Sequence, residues 1–568
     1  MKMMREIVDH LHSRNQHFTV MVDPAVAARD YPPYHRGLES DAFILRDNGS
    51  VYNGVVWPGL TAYPDWFAEN ATGYWNNEFA NFFSPEKGID IDFLWIDMNE
   101  PANFCDYPCN DPQEAAKDLP PKPPAIRTPP RPLPGWSCDF QPKGTDCKAS
   151  EARSIDSTPH FEKRSEQVLS RFATRDDLDS RHWKGLPNRE LLEPPYKIHN
   201  VKGPLSQKTI NTDLHHHNGL TQYDTHNLYG SMMSVASRDA MQARRPGKRP
   251  LIITRATFAG AGAHVSHWLG DNDSDWPHYQ WTIREMLAFA SIFQVPMVGS
   301  DVCGFNSNTT EELCARWAML GAFQPFYRNH NAEGNIGQEF YQWKSVTAAA
   351  KKAIDIRYRL LDYIYTAMMQ QSKDGTPTVY PMMYLYPKDS KTFSLDLQYF
   401  YGNGILVAPV TEQGANSVDV YLPDDIFYDF YTHQSYSTGG GTITKSNQGL
   451  TDIPLFYRGG VIVPQRIKSA MTTHDLRKEN FELIIPVGKD GKADGWLYLD
   501  DGESLQPQGS WIRFHYSYGT LKTTGQYAYK TDLKIAKVTL LDGSGNAKSQ
   551  SKTKTVNQPL TGDFTIDI

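Results

Sequence analysis

Five short apolar runs, each ending in polar or ionisable side chains, constrain the fold of this chain more than any other feature. They are HFTVMVD (17–23), IDIDFLWIDM (89–98), RPLIITRATF (249–258), QVPMVGSD (294–301) and LGAFQPFYR (320–328). Amphipathic stretches with helical spacing lie between them, the rhythm of parallel strands joined by crossover helices. In barrels and doubly wound sheets the loops converge at the strand C-termini, so polar strand ends are where a site gathers. Chance polar ends on buried strands explain one such case better than five.

The opening MKMMREIVDHLHSRNQ places Met4, Ile7, Val8 and Leu11 on one helical stripe and lacks the unbroken apolar core of a signal peptide. TTEELCARWAML (309–320) predicts a short helix, with a capping box from Thr309 to Glu312 ahead of a stripe through Leu313, Trp317 and Leu320. Residues 343–369 form the longest helical candidate, with Ile356, Leu360 and Tyr363 spaced to face a core. Past about residue 370 the helical rhythm gives way to strand-like runs between turns: TVYPMMYLY, GILVAPV, SVDVYLP, IPLFYRGGVIVP and FELIIPV. The expected organisation is an α/β region over 1–365, a proximal β-domain over 366–465 and a distal one over 466–568. An insertion over about 106–204 interrupts the first. Its run DLPPKPPAIRTPPRPLPG cannot sustain regular hydrogen bonding, because proline lacks an amide donor and fixes φ.

Across 568 residues the 13 Trp, 30 Tyr and 26 Phe suffice for large cores. A formal net charge of -8 gives little pull toward nucleic acid or an anionic membrane. No run approaches the 18 or so apolar residues of a membrane span. Six cysteines form three local pairs in sequence, Cys105 with Cys109, Cys138 with Cys147, and Cys303 with Cys314. They are compatible with three loop-clasping bridges and equally with reduced thiols. Glycan acceptor triplets begin at Asn48, Asn70 and Asn308, and a fourth at Asn272.

Two clusters carry the chemistry: WIDMNEPANF (95–104) and HWLGDNDSDW (267–276). Aromatic faces suit the apolar sides of a sugar ring, amides suit hydroxyls, and two carboxylates can divide nucleophilic and acid/base work. Asp97 stands at a strand's C-terminal end, although capping or bracing of Pro101 by Asp97 and Glu100 fits the same residues. Gly270 permits a tight bend that presents Asp271, which as a general acid would need a raised pKa. The alternating Asp271, Asp273 and Asp275 resemble the start of a calcium loop, but Trp276 stands where an EF-hand requires Gly and Thr282 where it requires Glu, so no metal site is assigned. The run KDGKADG from residue 489 reads as a solvated turn. His215, His216 and His217 read as surface or hydrogen-bonded residues rather than ligands. Arg328 and His330 in YRNHN suit sugar hydroxyls or carboxylate organisation. No serine elbow, Walker loop, HExxH or CxxC is present.

WIDMNEPANF, HWLGDNDSDW, VPMVGSDVCGF and PFYRNHN, in this order, resemble the retaining α-glucosidases of glycoside hydrolase family 31, especially the fungal-type members of the acid α-glucosidase and maltase group. The resemblance continues through GNGILVAPV, PLFYRGGVIVPQ and LYLDDGES. It implies an α/β fold, a (β/α)8 TIM barrel, followed by two β-sandwich-like domains. It also implies that Asp97 is the nucleophile and Asp271 the general acid/base, with their carboxylates about 5–5.5 Å apart, in a hydrolysis that needs no cofactor. By the same likeness Arg255 contacts the nucleophile or sugar, His330 donates to hydroxyls, and Asp301 and Arg328 support the polar network. Trp268 and Phe305 form pocket walls, with Trp57, Trp95, Ile96 and Met98 around the sugar. Family members carry a β-rich domain and two barrel strands ahead of the helix matching MREIVDHLH. The resemblance therefore implies an incomplete barrel lacking its first strands, completed by an amino-terminal polypeptide of the same enzyme in a hetero-oligomer. It implies bridged Cys303–Cys314 and Cys105–Cys109, and with the glycan triplets an extracellular or cell-wall location. A third bridge, between Cys138 and Cys147, is expected from their local pairing under the same oxidising conditions. The expected function is exo-hydrolysis of terminal α-linked glucose from maltose-like oligosaccharides and α-glucans, with transglucosylation when a sugar intercepts the intermediate. An α-xylosidase and a non-catalytic carbohydrate-binding subunit are the alternatives.

Overall fold

The computed structural model describes residues 2–117, 191–193, 203–543 and 550–568. The Pro-rich run lies outside them, and so do Cys138 and Cys147. The expected bridge between Cys138 and Cys147 is therefore not among the disulfides of the described residues, which join Cys105 to Cys109 and Cys303 to Cys314. The chain divides into two compact units, Met1–Pro246 with Pro250–Phe258, and Gly247–Arg249 with Ala259–Ile568.

In the first unit three parallel strands form one sheet, with Phe93–Ile96 between Thr19–Val22 and Ile252–Thr254. Each is the apolar centre of a run read from the sequence. The crossover between the first two strands holds a helix, Pro32–Glu39, a hairpin of Asn53–Val56 with Gly59–Ala62, and a second helix, Ala71–Phe82. The return to the third uses the helix Tyr229–Arg244. Trp75 and Phe79 are buried on Ala71–Phe82, and the Trp75 indole donates to Ser237 Oγ at 3.0 Å, locking the two long helices together. The amino-terminal helix Lys2–His12 departs from expectation, since only Val8 of its stripe is buried while Met4 and Ile7 are exposed. Polar contacts hold it instead: Arg5 donates to the Pro85 carbonyl and His12 pairs with Asp92 at 2.9 Å.

The three adjacent histidines are hydrogen-bonded struts. His215 pairs with Asp47 at 2.6 Å. The buried His216 lies between Asp65 at 2.6 Å and Gln222 at 2.9 Å. His217 reaches the Phe43 carbonyl.

The second unit begins with helical layers and ends in sheets. Helix Trp276–Leu287 runs into a π-helical turn, Ala288–Ile292, and is followed by Glu311–Gly321, Lys344–Arg359 and Leu361–Asp374. The cap of the short helix is Thr310 rather than Thr309: its side chain accepts from the Leu313 amide, and Thr309 is buried. The long helical candidate is two helices broken at Leu360, with Ile356, Leu360 and Tyr363 in the core as expected. Residues 294–301 are extended but not a regular strand. Pro296 supplies no amide, so the segment joins its neighbours through single bonds from the His267 amide to the Met297 carbonyl, Leu269 to Gly299 and Phe326 to Val298. Ser300 makes an isolated parallel bridge to Leu269, and Asp301–Val302 pairs in parallel with Arg328–Asn329. Of the run 320–328, residues 320–321 end the helix Glu311–Gly321 and residues 322–327 are irregular, mostly turns and bends, not strand.

Beyond residue 375, Val379–Pro381 opens a six-stranded sheet, continued by Tyr399–Tyr401, Ile405–Val407, Leu455–Arg458, Phe427–Asp429 and Ser435–Tyr436 in that spatial order. The second half of TVYPMMYLY is a short helix, Met382–Leu385, rather than strand. The distal region holds two four-stranded sheets. One runs Val463–Arg466, Phe481–Pro486, Lys534–Asp542, Gln550–Pro559, and the other Lys492–Leu499, Ser510–Ser517, Thr520–Tyr527, Thr565–Asp567. Alternate residues Leu483, Ile485, Leu497, Leu499, Ile512 and Phe514 bury one shared core, as packed sheets require.

Candidate active site

In the first unit the polar groups gather where the three strands end. Val22 stands opposite Ile96, and Ile96 opposite Thr254. The next residues, Asp23, Asp97 and Arg255, therefore leave three adjacent strands at one level and on one face. Asp97 donates its amide to the Val22 carbonyl at 3.3 Å, and Arg255 its amide to the Ile96 carbonyl at 3.2 Å. The side chains then meet. Arg255 Nη1 lies 2.9 Å from Asp97 Oδ1, and its Nε and Nη2 grip Glu100 at 2.6 and 3.0 Å. Asp97 Oδ1 also accepts from the Met98 amide at 2.7 Å. Met98 has a φ of 57°, a left-handed conformation that non-glycine residues adopt rarely and that marks a tightly determined loop.

Asn99 fixes that loop. Its buried amide donates to Thr254 Oγ1 at 2.9 Å and accepts from the Ala256 amide at 2.9 Å, tying the loop after Asp97 to the one after Thr254. Trp95 and Ile96 are buried in the strand, and Trp57 stands half-exposed at the hairpin tip, edge-on to Phe104 at 4.7 Å. Cys105 and Cys109 are bridged.

Apart from the strand end at Asp23, no local pattern in the sequence marks Asp23, Asn99 or Glu100 as a site residue. Asp23 carried a usable signal, since it ends its apolar run as Asp97 ends the next. Burial, with the nearby Asp97 charge adding to it, pushes its carboxyl up to about 7.

In the second unit the centre is Asp301, fully buried. Arg328 Nε donates to its Oδ1 at 2.8 Å, and the Asp271 amide approaches its Oδ2 at 3.3 Å. Burial raises the Asp301 carboxyl above the ordinary range even against the Arg328 charge. His330, stacked on Phe305 at 5.2 Å, is held below the usual imidazole value by burial and by Arg328. Gln338 clamps the surrounding backbone by donating to the carbonyls of Gly304 and His330 at 2.9 and 3.1 Å.

Asp271 itself is exposed, with a φ of 59°. Asn306 donates to its carbonyl at 2.8 Å, and Asn272 donates to the Asp301 carbonyl at 3.1 Å. Gly270 is needed for space rather than for backbone sign. A Cβ there would lie 1.9 Å from Trp268 Nε1 and 2.9 Å from Asp301 Oδ2. Trp268 is buried, and Cys303 and Cys314 are bridged in the core. Asp273, Asp275 and His278 come together, but Asp275 caps the following helix by accepting from the His278 amide at 2.8 Å, which accounts for their grouping. Asp271, Trp268, Asp301, Phe305, Arg328 and His330 thus share one network, while Asp97, Met98 and Arg255 share another, each within its own unit.

The Glycosyl hydrolases family 31 TIM-barrel domain matches residues 2–367, and the Glycosyl hydrolase family 31 C-terminal domain matches residues 375–463. The chain belongs to glycoside hydrolase family 31. Among family 31 relatives, a probable alpha/beta-glucosidase of Aspergillus fumigatus is 53% identical over 581 residues, covering 100% of this chain and 63% of the relative. An alpha-glucosidase of Mucor javanicus is 37% identical, covering 88% of this chain and 54% of the relative. The chain thus spans less than two thirds of the length of the curated family 31 proteins it matches. Among solved family 31 folds, the structure resembles the ER glucosidase II heterodimeric complex with a TM-score of 0.74 at 24% identity, covering 100% of this chain and 56% of that one. It resembles a Flavobacterium johnsoniae dextranase with a TM-score of 0.67 at 21% identity, covering 94% and 56%. The fold is therefore the family 31 one, a TIM-barrel domain followed by a β-rich C-terminal region. Among the described residues no helix is long and apolar enough to cross a membrane.

Proposed function

We propose that this chain carries the nucleophile and the general acid/base of a retaining α-glucosidase acting on the non-reducing ends of maltose-like oligosaccharides and α-glucans. The observation that carries the reading is the Arg255–Asp97 ion pair of 2.9 Å at the end of a central parallel strand. A cation at that distance favours the carboxylate form, the state in which Asp97 can attack an anomeric carbon.

In the first step an Asp97 oxygen forms a bond to C1 while the glycosidic C1–O bond breaks, and Asp271 gives its proton to the departing oxygen. In the second, Asp271 takes a proton from water, whose oxygen displaces Asp97 and leaves α-configured glucose. A second sugar hydroxyl in place of water gives transglucosylation. Trp268, Phe305, Trp57, Trp95, Ile96 and Met98 would line the sugar, with His330, Asp301, Arg328 and Arg255 as its polar frame.

The test is trapping. The full-length natural protein incubated with a fluorinated α-glucosyl fluoride should accumulate a glucosyl adduct on the peptide that contains Asp97. An adduct on a different carboxylate, or turnover with no adduct, would remove Asp97 from the role. Rates on maltose and an α-xyloside separate the glucosidase from an α-xylosidase.

An exported location is part of the proposal, supported by the two bridges and by exposed Asn48, Asn70 and Asn308. Asn272 is unsuited to a glycan because its side-chain nitrogen donates to Asp301. Enzymatic deglycosylation followed by peptide mass analysis should mark the first three sites and leave Asn272 unmodified. The same non-reducing peptide map should carry a linked pair containing Cys138 and Cys147; free thiols at both would remove that bridge from the proposal.

A further inference from the structure

The strand-end cluster of the first unit contains more acids than its guanidinium can pair. Asp23 follows Val22, Asp97 follows Ile96 and Arg255 follows Thr254 on three hydrogen-bonded parallel strands, with Glu100 three residues after Asp97 on the same loop. Arg255 is engaged by Asp97 through Nη1 and by Glu100 through Nε and Nη2. Three ionised carboxylates around one guanidinium would leave two uncompensated negative charges at a half-buried position, and a proton on one acid relieves that.

We propose that Asp23 is a positioning residue for the reaction: its carboxyl holds a proton while Asp97 is an ionised carboxylate and releases it to solvent while Asp97 is esterified. The inference rests on the reading of Asp97 as nucleophile. The charged groups acting on Asp23 are Asp97 and Glu100 from one neighbouring strand end and Arg255 from the next, and its carboxyl is correspondingly pushed up to about 7. Ester formation turns Asp97 neutral and leaves the Arg255 charge less shared, so the proton on Asp23 is held less tightly. When water displaces Asp97, the bonding pair returns to the Asp97 oxygen and Asp23 takes a proton back from solvent. A neutral Asp23 eases the charge developing on Asp97, whereas an ionised one opposes it. Breakdown of the glucosyl-enzyme should therefore slow as Asp23 ionises. Asp271, acting as base in that step, contributes only the acid-side limb.

Two measurements on the full-length protein test this. The first is kcat against pH with α-glucosyl fluoride under conditions where breakdown of the intermediate limits turnover. Wild type should show an alkaline limb of one ionisation, and Asp23→Asn should lose it or move it up by at least about one pH unit. A wild type without an alkaline limb, or an unchanged limb in Asp23→Asn, overturns the proposal. The second needs no turnover: isotope-edited infrared titration of aspartate carboxyls, with Asp23 assigned by difference against Asp23→Asn. Asp23 should titrate near neutrality in the free protein and at least about one unit lower in Asp97→Asn, where the neighbouring charge is gone. An Asp23 already ionised at acidic pH overturns the proposal whatever the activity. Failure to trap a glucosyl adduct on Asp97 would instead refute the nucleophile reading while the infrared titration still reported on Asp23.

Discussion

Arg255 holds Asp97 at 2.9 Å with one nitrogen and Glu100 at 2.6 Å with another, so a single planar guanidinium sets the spacing of two carboxylates on one loop. Lysine offers its three donors from a single nitrogen and cannot reproduce this planar fork. In Arg255→Lys we expect kcat/KM on maltose to fall by ~10²-fold or more, equivalent to roughly 3 kcal/mol. Steady-state kinetics reads this, and a loss under about threefold would show that the fork does not organise Asp97 for the proposed reaction.

Asp271 tests the acid role separately. In Asp271→Ala the loss on maltose should be ~10²–10⁴-fold, the usual contribution of a positioned acid, and much smaller on α-glucosyl fluoride, whose leaving group needs little protonation. Equal losses on both substrates would count against proton donation by Asp271.

Asp23 gives a pH-dependent stability prediction with a definite sign. Its carboxyl is pushed from the ordinary 3.8 up to about 7, so the folded state binds this proton more tightly than the unfolded chain. Stability from this group is then full below about pH 4, falls as pH rises and is lost by pH 7 and above. Asp23→Asn, which cannot ionise, should raise Tm by a few degrees at pH 7.5 and leave it unchanged at pH 4, as read by calorimetry. A gain of equal size at both pH values would point to packing rather than charge.

Asn99 should matter for folding. Both ends of its buried amide are bonded, so Asn99→Ala leaves the Thr254 hydroxyl and the Ala256 amide without that partner. The expected loss is about 2–3 kcal/mol, measured by denaturant unfolding, with activity falling alongside. Stability within about 0.5 kcal/mol of wild type would mean the two loops hold their places independently.

Much of this was legible in the chain because Asp97 and Arg255 sit directly after apolar runs whose centres are regular strands. The ion pairing of the Arg255 fork was not, since it depends on strand order and register that no local pattern records. Asp23 had the same strand-end signature as Asp97 but lacked the flanking Trp and Asn that drew attention there. The run at 294–301 reads as a strand by composition, yet Pro296 breaks the ladder and only its last residue, Asp301, enters one. Thr309 and Thr310 are both plausible caps in sequence. Burial of Thr309 decides between them. Nothing in VPMVGSD announces that Asp301 is fully enclosed, because that follows from Arg328 and the Asp271 backbone closing over it.

The hold of Asn99 on Thr254 and Ala256 also bears on protein engineering. The segment after Asp97 and the segment after Thr254 are separated by more than 150 residues of chain, yet they share one amide as a common fastener. Grafting either alone from another family 31 protein would strip the fastener from one side. A specificity exchange at this end of the sheet should therefore move both segments together, as one interchangeable part.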